Sequence, residues 1–198
     1  MTSRLIICDL DRTAFMTDRF TAEFVPALAL VAGFEPQQFI DEMNLYYADG
    51  VGYDFDAHLA AYALTPAIFE HDTVVQALAE SYLYPDVDAF LARHIEDEIE
   101  IVTVGQQAFQ SAKLRFSPSL TSFKSIIVDH NKGEVLRDYL MKQAELREVW
   151  IIDDSPVTFE PLKGISQIRQ INLARPGEKY TGQACADGVE TMTSLDSL

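Results

Sequence analysis

The stretch Leu5-Ile6-Ile7-Cys8-Asp9-Leu10-Asp11-Arg12-Thr13 decides how the fold of this chain is interpreted. Its four apolar residues predict a buried strand, which ends in two carboxylates that are two positions apart. Like charges held so close raise each other's pKa unless a cation or hydrogen bonds compensate for them. A second apolar run, from Val149 to Ile152, also ends in two acids, Asp153 and Asp154. The pattern is typical of a metal-dependent enzyme whose substrate is anionic.

Composition limits the partners of the chain. Its formal net charge is −16 over 198 residues, which disfavours nucleic acid and anionic membrane surfaces. A small anion can still bind where a local cation reverses the field. The two cysteines, Cys8 and Cys185, suggest neither a disulfide framework nor a zinc site. We expect a cytoplasmic protein, because no signal-peptide pattern is present and the apolar run 24–34 is too short to span a bilayer.

The chain divides into three stretches with different patterns. The opening strand comes first, and helical spacing dominates from about Phe15 to Asp97, where we predict four or five short helices. Strand and helix patterns alternate in the remainder. We predict strands at 99–104, 124–128, 148–152 and 167–173, and helices at 107–115, 133–146 and 158–163.

This alternation predicts the fold class. Strands that alternate with helices imply right-handed crossovers and a parallel sheet covered on both faces. We therefore expect an α/β fold with a doubly wound, Rossmann-like parallel sheet, in which a helical insertion follows the first strand. The predicted core comprises residues 1–14 and 98–198, and the insertion comprises residues 15–97. A chain of this length accommodates a core with such an insertion.

Candidate functional residues lie in the loops that follow the strands, because ligands of such sheets bind at the carboxyl ends of the strands. Parallel neighbours would bring four of these loops into one cleft. Their polar members are Asp9, Asp11, Thr13, Thr103, Asp129, His130, Asn131, Lys132, Asp153, Asp154 and Ser155, with Gly105 beside Thr103.

The aspartates of this set indicate phosphoryl transfer with Mg²⁺. Four carboxylates would repel a phosphate, whereas Mg²⁺ binds one or two carboxylates and also phosphoryl oxygens. Another carboxylate can then attack phosphorus, and a carboxyl two residues away can protonate the leaving group. Thr103 and Lys132 offer a hydroxyl and an ammonium to the transferring group.

The same residues resemble the haloacid dehalogenase-like (HAD) superfamily. The stretch from Leu5 to Thr13 looks like its first motif, Thr103 its second, Lys132 its third, and Ile151-Ile152-Asp153-Asp154 its fourth. In a subset of that superfamily the second motif continues as Thr-x-Gly, then a glutamine and a lysine. Thr103, Gly105, Gln110 and Lys113 match that continuation. The insertion resembles the mobile helical cap of cap class one.

The resemblance implies a role for each residue. Asp9 would be the nucleophile and a metal ligand, and Asp11 the general acid and base, with its backbone carbonyl on Mg²⁺. Thr103 and Lys132 would hold phosphoryl oxygens. Asp154 would be the second carboxylate ligand, supported by Asp153.

Other positions near the motifs are less determined. We include Gly105 and Arg12 among the substrate-binding residues. Arg12 stands where many members have glycine or a small residue, and it either narrows the entry or pairs with an acid. His130 is a candidate for substrate contact because it lies in one of the strand-end loops.

Two lysines compete for the third-motif role. Lys113 lies about nine residues into its helix, roughly 13 Å from the start of that helix, which runs away from the strand ends. Lys132 directly follows a strand, so the geometry favours Lys132.

The sequence thus predicts a Mg²⁺-dependent phosphatase that acts on a small phosphorylated metabolite through an aspartyl-phosphate. A phosphotransferase or mutase on the same fold is an alternative, as is a non-catalytic binding or regulatory protein. A dehalogenase is disfavoured because its chemistry needs no acid at Asp11. The substrate and the oligomeric state are not readable from the sequence.

Overall fold

A parallel β-sheet forms the centre of the molecule. The computed structural model describes residues 4–48, 53–142, 148–166 and 168–198, apart from the side chains of 46–48. The sheet has six strands within these residues, in the order β3-β2-β1-β4-β5-β6, and every neighbouring pair is parallel. The strands are β1 (Leu5–Cys8), β2 (Glu98–Val104), β3 (Lys124–Val128), β4 (Val149–Asp153), β5 (Ile168–Leu173) and β6 (Glu190–Met192). The predicted α/β fold class with a doubly wound sheet is confirmed.

Side chains of β1 alternate between two hydrophobic clusters, one on each face of the sheet. Ile6 and Cys8 belong to the larger cluster, which also contains aromatic residues of the insertion. Leu5 and Ile7 belong to the smaller cluster on the opposite face. All four are at most 3 % exposed, as expected for a central strand covered by helices on both faces.

The insertion is helical in its described part and packs on the larger cluster. Its helices are α1 (Thr17–Ala32), α2 (Pro36–Ala48), α3 (Phe55–Ala61), α4 (Asp72–Ala77) and α5 (Val87–Arg93), with a 3₁₀ helix at Pro66–Glu70. Phenylalanine rings of α1 and α3 stack against Phe109 of α6 (Gln107–Arg115), which follows β2. The insertion and the sheet therefore share one hydrophobic core, and the division into two domains stays a prediction.

Helix α1 is the largest departure from the predicted insertion. It has 16 residues, whereas we predicted short helices. Pro26 lies inside it and no side chain caps its N-terminus, so the sequence lacks the usual start signal and contains a helix breaker. The helix ends where Gly33 adopts a φ of +75° and donates its N–H to the carbonyl of Ala29.

The smaller cluster is covered by α7 (Lys132–Met141) and by 3₁₀ turns at Pro156–Thr158 and Glu160–Leu162. The predicted helix at 158–163 is replaced by these turns because Pro161 cannot donate a helical hydrogen bond. The predicted end of α7, at 143–146, lies outside the described residues, as does residue 167. Strand β6 was not predicted, since it has only three residues.

Trp150 of β4 lies between two guanidinium groups. Arg4 is 4.4 Å from the centre of its ring and Arg169 is 4.5 Å from it. Among the described residues, no helix combines the length and the apolar character that crossing a membrane requires.

Candidate active site

Strand order brings the predicted loops to one edge of the sheet. Strand β1 pairs with β2 on one side and with β4 on the other, so the residues after these strands are neighbours. The N–H of Asp9 donates to the carbonyl of Ile152 at 2.9 Å, which places Asp9 beside the end of β4. The acid pair of β1 and the acid pair of β4 therefore meet at the carboxyl edge.

A buried cluster of three aspartates and one lysine lies at this edge. Nζ of Lys132 is 2.5 Å from Oδ1 of Asp9 and 2.6 Å from Oδ2 of Asp153. Each of Asp9, Asp153 and Asp154 offers a carboxylate oxygen, and these oxygens lie within 4.8 Å of one another. All four residues are at most 8 % exposed. We call this set the acid cluster.

Lys132 reaches the acid cluster because α7 starts close to the 3₁₀ turn after β4. Asn131 precedes the helix with a φ of +52°, which turns the chain into α7. A Cβ on Gly133 would lie 2.5 Å from the carbonyl oxygen of Thr158. Glycine therefore permits the close approach of α7 that aims Lys132 at Asp9.

The acid cluster holds more negative than positive charge. Burial raises the pKa of Asp9 to about 7, although Lys132 opposes this effect. Burial and the charges of Asp9 and Asp153 raise the pKa of Asp154 to about 9. Burial lowers the pKa of Lys132, but the two carboxylates beside it outweigh burial and raise it. Lys132 therefore stays charged, and the acids share one cation.

The acid cluster fits a divalent cation. Three carboxyl groups share one ammonium, so a further cation is needed for Asp9 and Asp154 to ionise together. Oδ2 of Asp154 is buried and has no hydrogen-bond partner in the described part of the chain. Hard carboxylate oxygens of this kind suit Mg²⁺.

A second group of polar side chains surrounds Asp11. Oδ1 accepts from Nζ of Lys113 and from Oγ1 of Thr17, both at 2.6 Å. Oδ2 accepts from Nε2 of Gln110 at 3.0 Å and from Oγ1 of Thr103 at 3.4 Å. Burial would raise the pKa of Asp11, but Lys113 and the other donors outweigh it and lower that pKa. Asp11 is therefore held as a carboxylate.

The argument that Lys113 lies too far along its helix to reach the strand ends was wrong. The helical rise measures distance along the axis of α6, and it neglects the length of the lysine side chain. Lys113 is buried, with its ammonium 4.4 Å from the ring centre of Phe109 and on the carboxylate of Asp11. Both lysines therefore reach strand-end aspartates, and Lys132 is the one that contacts Asp9.

Comparison with solved structures identifies this architecture. A protein of Burkholderia xenovorans described as a haloacid dehalogenase-like hydrolase has a TM-score of 0.70 at 15 % identity, over 98 % of this chain and 96 % of that one. The chain has the haloacid dehalogenase-like fold. A HAD phosphatase of Thermococcus onnurineus gives 0.63 at 19 %, over 98 % and 94 %. A magnesium-bound protein of Bacillus subtilis described as a HAD-hydrolase gives 0.64 at 13 %, over 100 % and 97 %.

These identities are too low to transfer an activity. Other structures with the haloacid dehalogenase-like fold that match the chain are described as a β-phosphoglucomutase and an L-2-haloacid dehalogenase. No protein-family model and no curated protein sequence matches the chain.

Asn172 is a residue of this fold that the sequence reasoning missed. It lies in β5 opposite Asp153, and its Nδ2 donates to the carbonyls of Asp153 at 3.2 Å and Asp154 at 2.9 Å. The N–H of Ser155 donates to Oδ1 of Asp153. An asparagine inside an apolar strand was the available signal, because a buried amide requires partners. Asn172 fixes the turn that presents both acids.

Arg12 pairs with an acid, which is one of the two roles left open by the sequence. Its Nη2 is 2.6 Å from Oδ1 of Asp18, and its Nε is 3.6 Å from Oε2 of Glu178. Its backbone has a φ of +58°, a conformation that glycine adopts most easily.

Gly105 and His130 lie beside the predicted loops. Gly105 has a φ of +144°, and a Cβ there would lie 2.5 Å from Nε2 of Gln110. His130 is exposed and lines a groove with Asp129 and Glu134 between β3 and α7. Substrate contact by Gly105, Arg12 or His130 stays a prediction.

Proposed function

We propose that this protein is a haloacid dehalogenase-like phosphatase that hydrolyses a small phosphorylated metabolite and uses Mg²⁺. The observation that carries the proposal is the acid cluster, in which the buried Lys132 contacts Asp9 while Asp153 and Asp154 lie within 4.8 Å. Burying an ion costs on the order of several kcal/mol of desolvation. A binding module would gain nothing in return for burying a carboxylate and an ammonium beside two further acids.

The metal ion would be held by Asp9 and Asp154, with Asp153 in support and the backbone carbonyl of Asp11 as a further oxygen. When bound, Mg²⁺ would neutralise the excess charge of the acid cluster and the charge on the phosphoryl oxygens. The magnesium in the Bacillus subtilis structure supports this choice of ion.

Asp9 performs the first displacement. Its carboxylate oxygen forms a bond to phosphorus and the bond from phosphorus to the ester oxygen breaks. The ester oxygen takes a proton that Asp11, which is ionised in the free protein, must first accept from solvent. Lys132 orients the attacking carboxylate and balances its charge. The hydroxyl of Thr103, which is 3.4 Å from Oδ2 of Asp11 in the free protein, would turn to a phosphoryl oxygen when substrate binds. The product of this step is an alcohol and an aspartyl-phosphate on Asp9.

Asp11 acts as a base in the second step. It takes a proton from a water molecule, whose oxygen attacks phosphorus, and the bond between phosphorus and Asp9 breaks. Phosphate leaves and the Asp9 carboxylate is restored. The ionised form of Asp11 that Lys113 and Thr17 stabilise is the form this step needs.

An aryl phosphate assay tests the proposal. We expect hydrolysis of p-nitrophenyl phosphate with Mg²⁺, loss of activity on chelation, and a fall in kcat on the order of 10³-fold or more in Asp9→Asn, because the nucleophile is removed. Asp88→Asn, an exposed aspartate of α5, is the matched control and should keep full activity.

Activity that persists in Asp9→Asn or without divalent metal would contradict the proposed reaction. Transfer of phosphate to an added alcohol, in place of release to water, would indicate the phosphotransferase alternative. Halide release from a 2-haloacid without phosphatase activity would indicate a dehalogenase.

A further inference from the structure

Four donors occupy both oxygens of Asp11, two on each oxygen. Thr17 comes from α1, whereas Thr103, Gln110 and Lys113 come from the end of β2 and the first two turns of α6. A carboxylate that accepts this many hydrogen bonds has one defined orientation, because a rotation breaks several of them at once.

Gly105 makes room for one of these donors. The side-chain amide of Gln110 donates to Asp11 and also to the carbonyl of Val104 at 2.7 Å. A Cβ on residue 105 would occupy the position of that amide, at 2.5 Å from Nε2. The φ of +144° at Gly105 also disfavours any other residue. The position of the Gln110 amide therefore requires glycine at residue 105.

Lys113 is a buried ammonium whose side chain is 3 % exposed. An ammonium buried in this way requires a charged partner, and Asp11 supplies it at 2.6 Å. The same ammonium lies 4.4 Å from the ring centre of Phe109, which belongs to the core shared by the insertion and the sheet. The Phe109 ring and the Asp11 carboxylate thus hold the ammonium of Lys113 together.

We propose that Thr103, Gly105, Gln110 and Lys113 form a clamp that orients the Asp11 carboxyl toward the reacting phosphoryl group, with Gln110 and Lys113 as positioning residues. The proposal rests on the proposed function, since it assigns the clamp to the proton transfers of the same reaction. We call these four residues the Asp11 clamp. The clamp assigns a single role to the Thr-x-Gly, glutamine and lysine positions of the sequence.

A double-mutant cycle between Lys113 and Asp11 tests the Asp11 clamp. We expect Lys113→Met to lower kcat on the order of 10–100-fold with KM nearly unchanged, because a misplaced catalytic group slows chemistry without weakening substrate binding. Asp11→Asn should lower kcat on the order of 10²–10⁴-fold. The double variant should be no slower than Asp11→Asn alone, because Lys113 acts through Asp11.

The leaving group provides a second readout. An alkyl phosphate requires protonation of its leaving oxygen, whereas p-nitrophenolate leaves readily without it. The loss caused by Lys113→Met should therefore be larger for the alkyl phosphate. Gly105→Ala, which displaces the Gln110 amide, should show the same dependence, and Lys113→Arg should recover part of the activity. Lys124→Met, which removes an ion pair with Glu100, is the control.

Three results would overturn the Asp11 clamp: multiplying losses in the double variant, equal losses for both leaving groups, or a change confined to KM. The fluorescence of Trp150 and the circular dichroism of each variant check that it is folded. If Lys113→Met does not fold, Gln110→Leu replaces it in the same cycle. Activity that survives Asp9→Asn would refute the proposed function. If Asp9→Asn is inactive but the losses from Lys113→Met and Asp11→Asn multiply in the double variant, only the Asp11 clamp is refuted.

Discussion

Arg12 shows how a single residue can keep an unfavourable backbone conformation. It occupies the left-handed region between Asp11 and Thr13, where a residue with a Cβ costs roughly 1 kcal/mol relative to glycine. Its ion pair with Asp18 is partly exposed and contributes about 0–1 kcal/mol. The ion pair therefore does no more than offset the cost of the backbone conformation.

A pair of substitutions at this residue separates the backbone from the side chain. Arg12→Gly and Arg12→Ala both remove the guanidinium, and only glycine relieves the positive φ. We expect Arg12→Gly to be more stable than Arg12→Ala by about 1 kcal/mol in urea unfolding, because of this difference. Equal stabilities would contradict a strained backbone at residue 12.

Strand β5 supports the acid cluster through Asn172. Its amide ties β5 to the turn after β4 by hydrogen bonds to two consecutive carbonyls. Neither carboxylate is contacted, so Asn172 affects the metal ligands through the backbone that carries them. An orienting residue of this kind typically changes metal affinity by about 10–100-fold.

Asn172→Leu should therefore weaken the binding of Mg²⁺. We expect the Mg²⁺ concentration for half-maximal activity to rise on the order of 10-fold, with a loss of stability of about 1–3 kcal/mol from the unpaired carbonyls. Gln170→Leu, two residues earlier in β5, is the control for a polar-to-apolar change in the same strand. An unchanged Mg²⁺ requirement in Asn172→Leu would rule out its role in shaping the site.

Elements with uninterrupted patterns were predicted well. Apolar runs predicted β1 and β3 with their observed bounds, and the helix prediction at 107–115 matches α6. Nothing inside these segments contradicts the pattern. Proline accounts for two of the errors: Pro26 lies inside the long helix α1, and Pro161 divides the predicted helix at 158–163. Tertiary packing overrides local propensity at the first of these positions.

The part of the candidate site that lies at the ends of strands was predictable. Asp9 and Asp154 follow strands, Asp153 ends one and Lys132 begins the next helix, so a parallel sheet brings them together. Lys113 was misjudged because its contact depends on where a long side chain turns within the packed core. Asn172 was missed because its two bonds go to backbone atoms, which no residue pattern specifies.

At the scale of the whole molecule, a buried ion pair connects the insertion to the segment after β5. Arg175 contacts Asp86 at 2.8 Å and 3.0 Å, and its Nε donates to the carbonyl of Thr13. Asp86 precedes α5 and also accepts from the N–H of Leu195. The carboxylate of Asp86 therefore joins Arg175 and Leu195, and Arg175 connects this group to Thr13.

This ion pair predicts a pH-dependent stability. Burial raises the pKa of Asp86, but the hydrogen bonds from Arg175 and Leu195 outweigh burial and lower it. A carboxyl whose pKa is lower in the folded state stabilises the fold above its unfolded pKa of about 3.9, and this contribution is lost as the pH falls.

We expect Asp86→Asn to lower the free energy of unfolding by about 3 kcal/mol at pH 7, because Arg175 is left buried without its partner. The difference from wild type should shrink below about pH 4, where Asp86 gains a proton. Asp88→Asn in the same helix should show neither effect. Urea unfolding at several pH values measures both, and a difference that does not depend on pH would contradict the ion-pair explanation.

The order of strands in the sheet also constrains how the molecule is made. Strand β1 is synthesised well before both of its neighbours, and the Lys132 that contacts Asp9 lies 123 positions further along the chain. Contacts of such long range form slowly, and an unpaired central strand is open to association in the meantime. Asp9 is thus synthesised long before its surroundings, which are completed only when β4 and the start of α7 have been added.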